Sequence, residues 1–298
     1  MNQLELYNLF SDFRIERDDA KYPPYHDGPH LEEHFVAKYF NEFKKTDNKR
    51  LFLPIHWTAV FNHRVSEGLG PSTENYALRQ KLFKIISTLP QDLEYFTVST
   101  HDDAPQGNFP VNTKHFYAGG NSTIGTDAIP LVCSPLKYDN DPQKLVFCSF
   151  VGSATNQLRN NLLQHFHNKD GYVVNAFHWR PDVTLDQQEL FLECTARSRF
   201  AFCPRGYGAT SYRLYEAMQL GAVPIYYSDK HLLPWSEDLN WNDFCIVVSA
   251  ATNFDDLDSY LKNMKESEVR KMQDKIREVY PLYFTIPAVY NEINKRIK

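Results

Sequence analysis

The sequence contains no C-x-x-C pair, and its five cysteines (Cys133, Cys148, Cys194, Cys203 and Cys245) are widely spaced and odd in number. A zinc ribbon and a dithiol redox motif are therefore excluded, and buried thiols in a reducing compartment are expected. Lys and Arg form no long block and the net charge is −5. General nucleic-acid binding, which needs clustered cations to replace counterions, does not fit. No stretch approaches the roughly eighteen apolar residues of a spanning helix. Met1-Asn-Gln-Leu-Glu-Leu6 lacks the basic and apolar regions of a secretory leader. The expectation is a soluble chain with no membrane span, either cytoplasmic or trimmed from a Golgi luminal protein. Internal repeats and low-complexity tracts are also missing.

What is present is a chain of 298 residues, 42% of them hydrophobic, enough for two ordinary domains with substantial cores. Aromatic residues reach 14%. Their faces suit sugars and bases, but core packing accounts for most of them. Residues 1–48 read as helices and loops. Leu51–Ile55 reads as a strand, Thr73–Leu89 as a helix closed by Pro90, Leu93–Ser99 as a strand ending at His101-Asp102-Asp103, and Ile129–Cys133 as a third strand. The polar, turn-rich segment 135–143 suggests a boundary, giving domains 1–138 and 139–298. Beyond it the alternation restarts with strands near 145–151, 172–176, 200–203, 222–227 and 244–248. Helices are expected near 155–167, 185–198, 211–220, 254–264, 267–279 and 286–297, the last free to pack back on either domain. Two α/β units in series fit two Rossmann-like domains facing a cleft.

The densest chemistry lies between Phe202 and Ile225. A strand stops at Pro204, and a loop with Gly206 and Gly208 lets backbone approach a ligand. Ser211 or Thr210 caps a helix that Gly221 ends. Such a helix end offers N–H groups and partial positive charge to a diphosphate, and Arg205 and Arg213 add forked donors. Glu216 follows Arg213 by one turn, where a carboxylate could accept ribose hydroxyls. A plain surface ion pair between Arg213 and Glu216 explains the same spacing.

These residues resemble the donor-binding core of the exostosin-like glycosyltransferases. The matching blocks are Cys203-Pro-Arg-Gly206, Ser211-Tyr-Arg213, Glu216-Ala217, Gly221-Ala-Val-Pro224, Leu233-Pro-Trp235 and Leu239-Asn-Trp241. Upstream, Lys144–Gly152 followed by Arg159, His101-Asp-Asp-Ala-Pro105 and Phe52-Leu-Pro54 resemble further family blocks in the same order. The resemblance implies a two-domain GT-B fold and an inverting transfer from a nucleotide sugar, usually a UDP-sugar, to a glycan or glycoprotein. It implies that Gly152, Arg159, Arg205, Gly206, Ser211, Arg213 and Glu216 hold the donor. Asp103 stands where the family usually has Trp, and Ala222 where it has Cys. Family members usually carry an anchor and stem. Compact relatives encoded by large DNA viruses of algae lack them, and the expectation that this chain resembles those makes UDP-xylose the first donor expected, ahead of UDP-glucose, UDP-galactose and UDP-glucuronic acid.

An inverting transferase needs a base for the acceptor hydroxyl and positive charge for the departing diphosphate. Asp102 is the leading base, with His101, Glu74 and Glu67 as alternatives. Asp139-Asn-Asp141 has the D-x-D pattern of manganese-dependent transferases. It does not end an apolar strand and reads as a solvated turn, so no metal or other cofactor is expected. A nucleotide-sugar epimerase, a phosphorylase or an inactive carbohydrate-binding subunit on the same architecture are the competing readings.

Overall fold

The computed structural model describes residues 1–15, 30–42, 49–62, 73–122, 124–125, 127–136, 138, 142–180 and 183–298. The chain forms two compact units, each built on its own parallel sheet.

The first unit comprises the described residues up to Ile129, together with Ile286–Lys298. Its sheet has the order β1 (Leu51–Phe52), β2 (Tyr95–Ser99), β3 (Thr113–Tyr117), β4 (Asp127–Ala128), parallel throughout. Around it lie α1 (Gln3–Leu9), α2 (Leu31–Glu42), α3 (Trp57–Asn62), α4 (Thr73–Ser87) and α10 (Ile286–Arg296). Asn2 and Glu5 form a reciprocal capping box that starts α1. Leu53, Trp57, Leu82, Ile86 and Tyr95 are among the residues of its core. The connection from β1 to β2 carries α3 and α4, whereas residues 100–112 cross from β2 to β3 without a helix.

Two expectations change here. Ile129–Cys133 is not a strand, although Ile129, Leu131 and Cys133 are buried. Pro130 has no N–H to give a ladder. The strands before it are the short Asp127–Ala128 and Thr113–Tyr117, the latter hidden in the sequence by Thr113, Lys114 and His115. The division between units falls after Ile129, earlier than the break read from the polar segment at 138/139, and α10 belongs with the first unit.

The second unit contains Pro130–Thr285. Its strands are β5 (Val146–Ser153), β6 (Tyr172–Phe177), β7 (Ser198–Pro204), β8 (Val223–Ser228) and β9 (Ile246–Ser249), in the spatial order β6-β5-β7-β8-β9. The helices are α5 (Gln157–Phe166), α6 (Leu185–Ala196), α7 (Tyr212–Gln219), α8 (Phe254–Asn263) and α9 (Glu266–Tyr283). Phe150, Phe166, Phe200, Ile225 and Leu261 are central to its core. The chain passes from β6 back over β5 to β7, so the winding reverses between β5 and β7. Open parallel sheets bind ligands beyond the carboxyl ends of the strands at that switch point. No helix among the described residues is long and apolar enough to cross a membrane.

Candidate active site

Gly152 near the end of β5 and Arg205–Ser211 at the end of β7 flank the switch point. Helix α7 leaves from the same loop. Ser211 is its N-cap, the hydroxyl accepting from the Arg213 N–H. At the other end Ala222 N–H reaches the Ala217 carbonyl and Gly221 N–H the Met218 carbonyl, with Gly221 at φ 68°. These are the paired bonds of a Schellman ending, which glycine makes without strain.

The loop is held from inside by two buried arginines. Arg159, on α5, donates from Nε to the Arg205 carbonyl (2.9 Å), from Nη1 to the Ser153 carbonyl (2.7 Å), and from Nη2 to the Pro204 carbonyl and the Ser211 hydroxyl (both 3.2 Å). Gly206 passes so close that a Cβ there would sit 3.2 Å from Arg159 Nη2. Arg205 donates from Nε to the Gly208 carbonyl (3.0 Å), from Nη2 to the Tyr207 carbonyl (2.7 Å), and from Nη1 to Asp229 Oδ1 (2.7 Å). The Arg205 hydrogen bond, outweighing partial burial, holds the Asp229 carboxyl below its ordinary range. The sequence offers Arg205 to the diphosphate and the resemblance adds Arg159 to the donor site; in the fold these donors engage the loop and its surroundings. Asp229, the anchor of Arg205, was not singled out, and only its place just beyond β8 could have flagged it.

The arginine has a second effect. A trans peptide keeps its C=O and N–H antiparallel. The Tyr207 and Gly208 carbonyls turn toward Arg205, so the N–H groups of Gly208 and Ala209 turn away from it. Both residues are buried, and neither N–H donates to any group among the described residues. Buried backbone donors are nearly always paired. Two such donors beside a helix N-terminus at a switch point form a cradle for an anion.

Next to the cradle, Arg213 and Glu216 form an ion pair within α7. It is not the surface pair that spacing alone allowed, since the Glu216 side chain is only 3% exposed. Arg213 also donates from Nε to the Val151 carbonyl at 2.8 Å and lies over the Phe191 ring at 3.9 Å. A Cβ on Gly152 would stand 3.1 Å from Phe150 and 3.5 Å from Arg213 Nε. The absent side chain leaves room for Arg213. Its Nη2 has no partner among the described residues. Thus Gly152, Arg159, Arg205, Gly206, Ser211, Arg213 and Glu216 all lie around one sheet edge.

In the first unit, His101 and Asp102 follow β2 on the helix-free crossover. Asp103 N–H donates to His101 Nδ1 at 3.1 Å. In the neutral imidazole this places the proton on Nε2, leaving it a donor rather than a base. Asn121 N–H donates to the Asp102 carbonyl at 2.9 Å. A Cβ on Gly119 would fall 2.2 Å from the Asp102 Cα, so only glycine permits this packing. Beneath the crossover, buried Glu32 accepts the N–H groups of Thr58 (2.8 Å) and Thr100 (2.6 Å) and the Thr58 hydroxyl (2.9 Å). Glu32 thereby joins the start of α3 to the end of β2, a role without a local sequence signature. Glu74 lies at the start of α4. Glu67 and Asp139-Asn-Asp141 are outside the described residues.

A family model described as the Exostosin GT47 domain matches residues 59–264. Among curated relatives, the chain is 31% identical over 161 residues to an Exostosin-1 homolog of Caenorhabditis elegans, covering 49% of this chain and 41% of that protein. It is 31% identical over 130 residues to a probable glycosyltransferase of Arabidopsis thaliana, covering 44% of this chain and 26% of that one. A probable beta-1,4-xylosyltransferase of Arabidopsis thaliana is 27% identical over 92 residues, 31% of this chain and 22% of that protein. These matches thus span less than half of each relative. A sucrose-phosphate synthase from Thermosynechococcus elongatus superimposes with a TM-score of 0.43 at 10% identity, covering 88% of this chain and 70% of that one.

Proposed function

The chain belongs to the exostosin GT47 family, and on that premise we propose that it is an inverting glycosyltransferase that moves a sugar from a UDP-sugar to a glycan hydroxyl. The observation that carries this reading is the pair of unpartnered N–H groups of Gly208 and Ala209 at the switch point. They receive the diphosphate together with the N-terminus of α7. Arg205 and Arg159 act by shaping the loop, and Arg213 Nη2 adds a cationic donor. Glu216 accepts from the ribose.

In this reading the acceptor hydroxyl attacks the anomeric carbon, the bond to the diphosphate breaks, and the proton passes to a carboxylate. Asp102 is the first choice, because His101 presents Nε2–H. The UDP leaving group carries its charge onto N–H donors already in place, which costs no reorganisation. An α-linked donor then yields a β-linked product. No metal is needed for this charge balance. A relative named a probable beta-1,4-xylosyltransferase supports trying UDP-xylose first, and relatives named probable glucuronosyltransferases support keeping UDP-glucuronic acid among the donors tried after it, with UDP-glucose and UDP-galactose.

The test is incubation of the purified chain with each UDP-sugar and xylo-oligosaccharides, followed by NMR of the product. A β-linked extension with equimolar UDP supports the proposal. An α-linked product overturns inversion, and failure with every donor and acceptor tried overturns the activity.

A further inference from the structure

We infer that Trp179 is the surface on which the pyrimidine base of the donor stacks; this rests on the reading of the second unit as the donor site. Of the four tryptophans, Trp57, Trp235 and Trp241 are 0%, 5% and 4% exposed, whereas Trp179 is 49% exposed. A half-exposed indole keeps part of its flat face open to a planar ligand, and it is its place in the fold that decides which.

Its position names the ligand. Trp179 follows Phe177, the last residue of β6, and Phe177 pairs with Ser153 at the end of β5. It therefore emerges at the sheet edge that carries the cradle. Three chemistries lie in sequence along that edge. The loop after β7 offers backbone N–H groups to phosphate. Beside the end of β5, Arg213 and Glu216 offer a cation and a carboxylate, the latter suited to ribose hydroxyls. Past the end of β6 stands a flat indole. Neighbouring strands are about 4.8 Å apart, so the line from β7 through β5 to β6 is within the span of a nucleoside diphosphate. Phosphate, ribose and base fall on it in their covalent order. Tyr207 is also exposed, but it belongs to the phosphate loop, with its carbonyl bound to Arg205.

Acrylamide quenching of tryptophan fluorescence tests this, because Trp179 dominates the accessible signal. Saturating UDP is expected to protect it, and inorganic pyrophosphate, which has no base, is not. Trp179→Ala should weaken UDP binding about tenfold in calorimetry, the lower part of the range for base–aromatic stacking, with pyrophosphate affinity unchanged. Trp179→Tyr should recover most of the loss. If UDP binds the native chain yet quenching is unaltered, or if the Ala variant binds UDP normally, the inference fails while the donor site stands. Protection by xylo-oligosaccharide but not by UDP would also overturn it, assigning the indole to the acceptor. Absence of UDP binding to the native chain would remove the donor reading and this inference with it.

Discussion

Arg213 and Glu216 face each other within α7, and the guanidinium is held from two further sides, by the Val151 carbonyl and the Phe191 ring. The two residues are unequally buried, at 25% and 3% side-chain exposure. Glu216→Ala leaves an arginine that keeps its other contacts and reaches water. Arg213→Ala leaves a carboxylate without its cation in a dry site, a loss of about 3–5 kcal/mol. Urea unfolding should therefore show Arg213→Ala as much the more destabilised, while both variants bind UDP more weakly. Equal stability losses would contradict this asymmetry.

Asp102→Asn keeps the shape of the side chain and removes its basicity. Turnover should fall by roughly 10²-fold or more, the usual scale for a lost general base, with UDP affinity unchanged. Normal turnover would return the search to Glu74 and Glu67. Gly119→Ala should act on the same step by forcing the Asp102 backbone away, with a lower melting temperature as its companion sign.

Transfer should persist in excess EDTA, because backbone donors and Arg213 take the charge that a cation would otherwise neutralise. Abolition by chelator and restoration by Mn²⁺ would reverse this and turn attention to Asp139 and Asp141.

His115 gives a stability test. Burial lowers its pKa to about 4, against an ordinary value of about 6.5 in the unfolded chain. Between these limits the unfolded chain binds the additional proton, so stability is complete above pH about 6.5 and declines as pH falls toward about 4. Urea midpoints measured across that window should decline less in His115→Gln than in the native chain. Parallel slopes would mean that another group governs the acid limb.

The second unit was largely legible in the sequence because its strands include nearly continuous apolar runs, such as Val146–Val151, broken only by Ser149, and Phe200–Cys203, punctuated by glycine and capping residues. The donor motif could be placed for the same reason: Ser211, Gly221 and the glycines of the loop have local backbone meanings. Its internal wiring was not legible. Arg159 and Arg205 are cationic residues of the right kind in the right place, but only the folded loop reveals that their donors meet carbonyls and turn the neighbouring N–H groups away. In the first unit, Thr113–Tyr117 has too many polar residues to announce a strand. The role of Glu32 depends on Thr58 and Thr100, distant in sequence, so no periodicity could report it.

The first unit is discontinuous, and α10 supplies its last piece: the Tyr290 ring lies 4.9 Å from that of Phe35, its hydroxyl donates to Glu42 at 2.9 Å, and Lys114 reaches the Arg296 carbonyl at 3.2 Å. During synthesis, then, the second unit leaves the ribosome whole while the first still lacks a helix. The aromatic surface around Phe35 must wait, uncovered, until residues 286–298 emerge. Domains ordinarily fold in the order in which they are made; here the segment translated first is finished last, and this chain should depend on chaperones for its amino-terminal half rather than its carboxyl-terminal one.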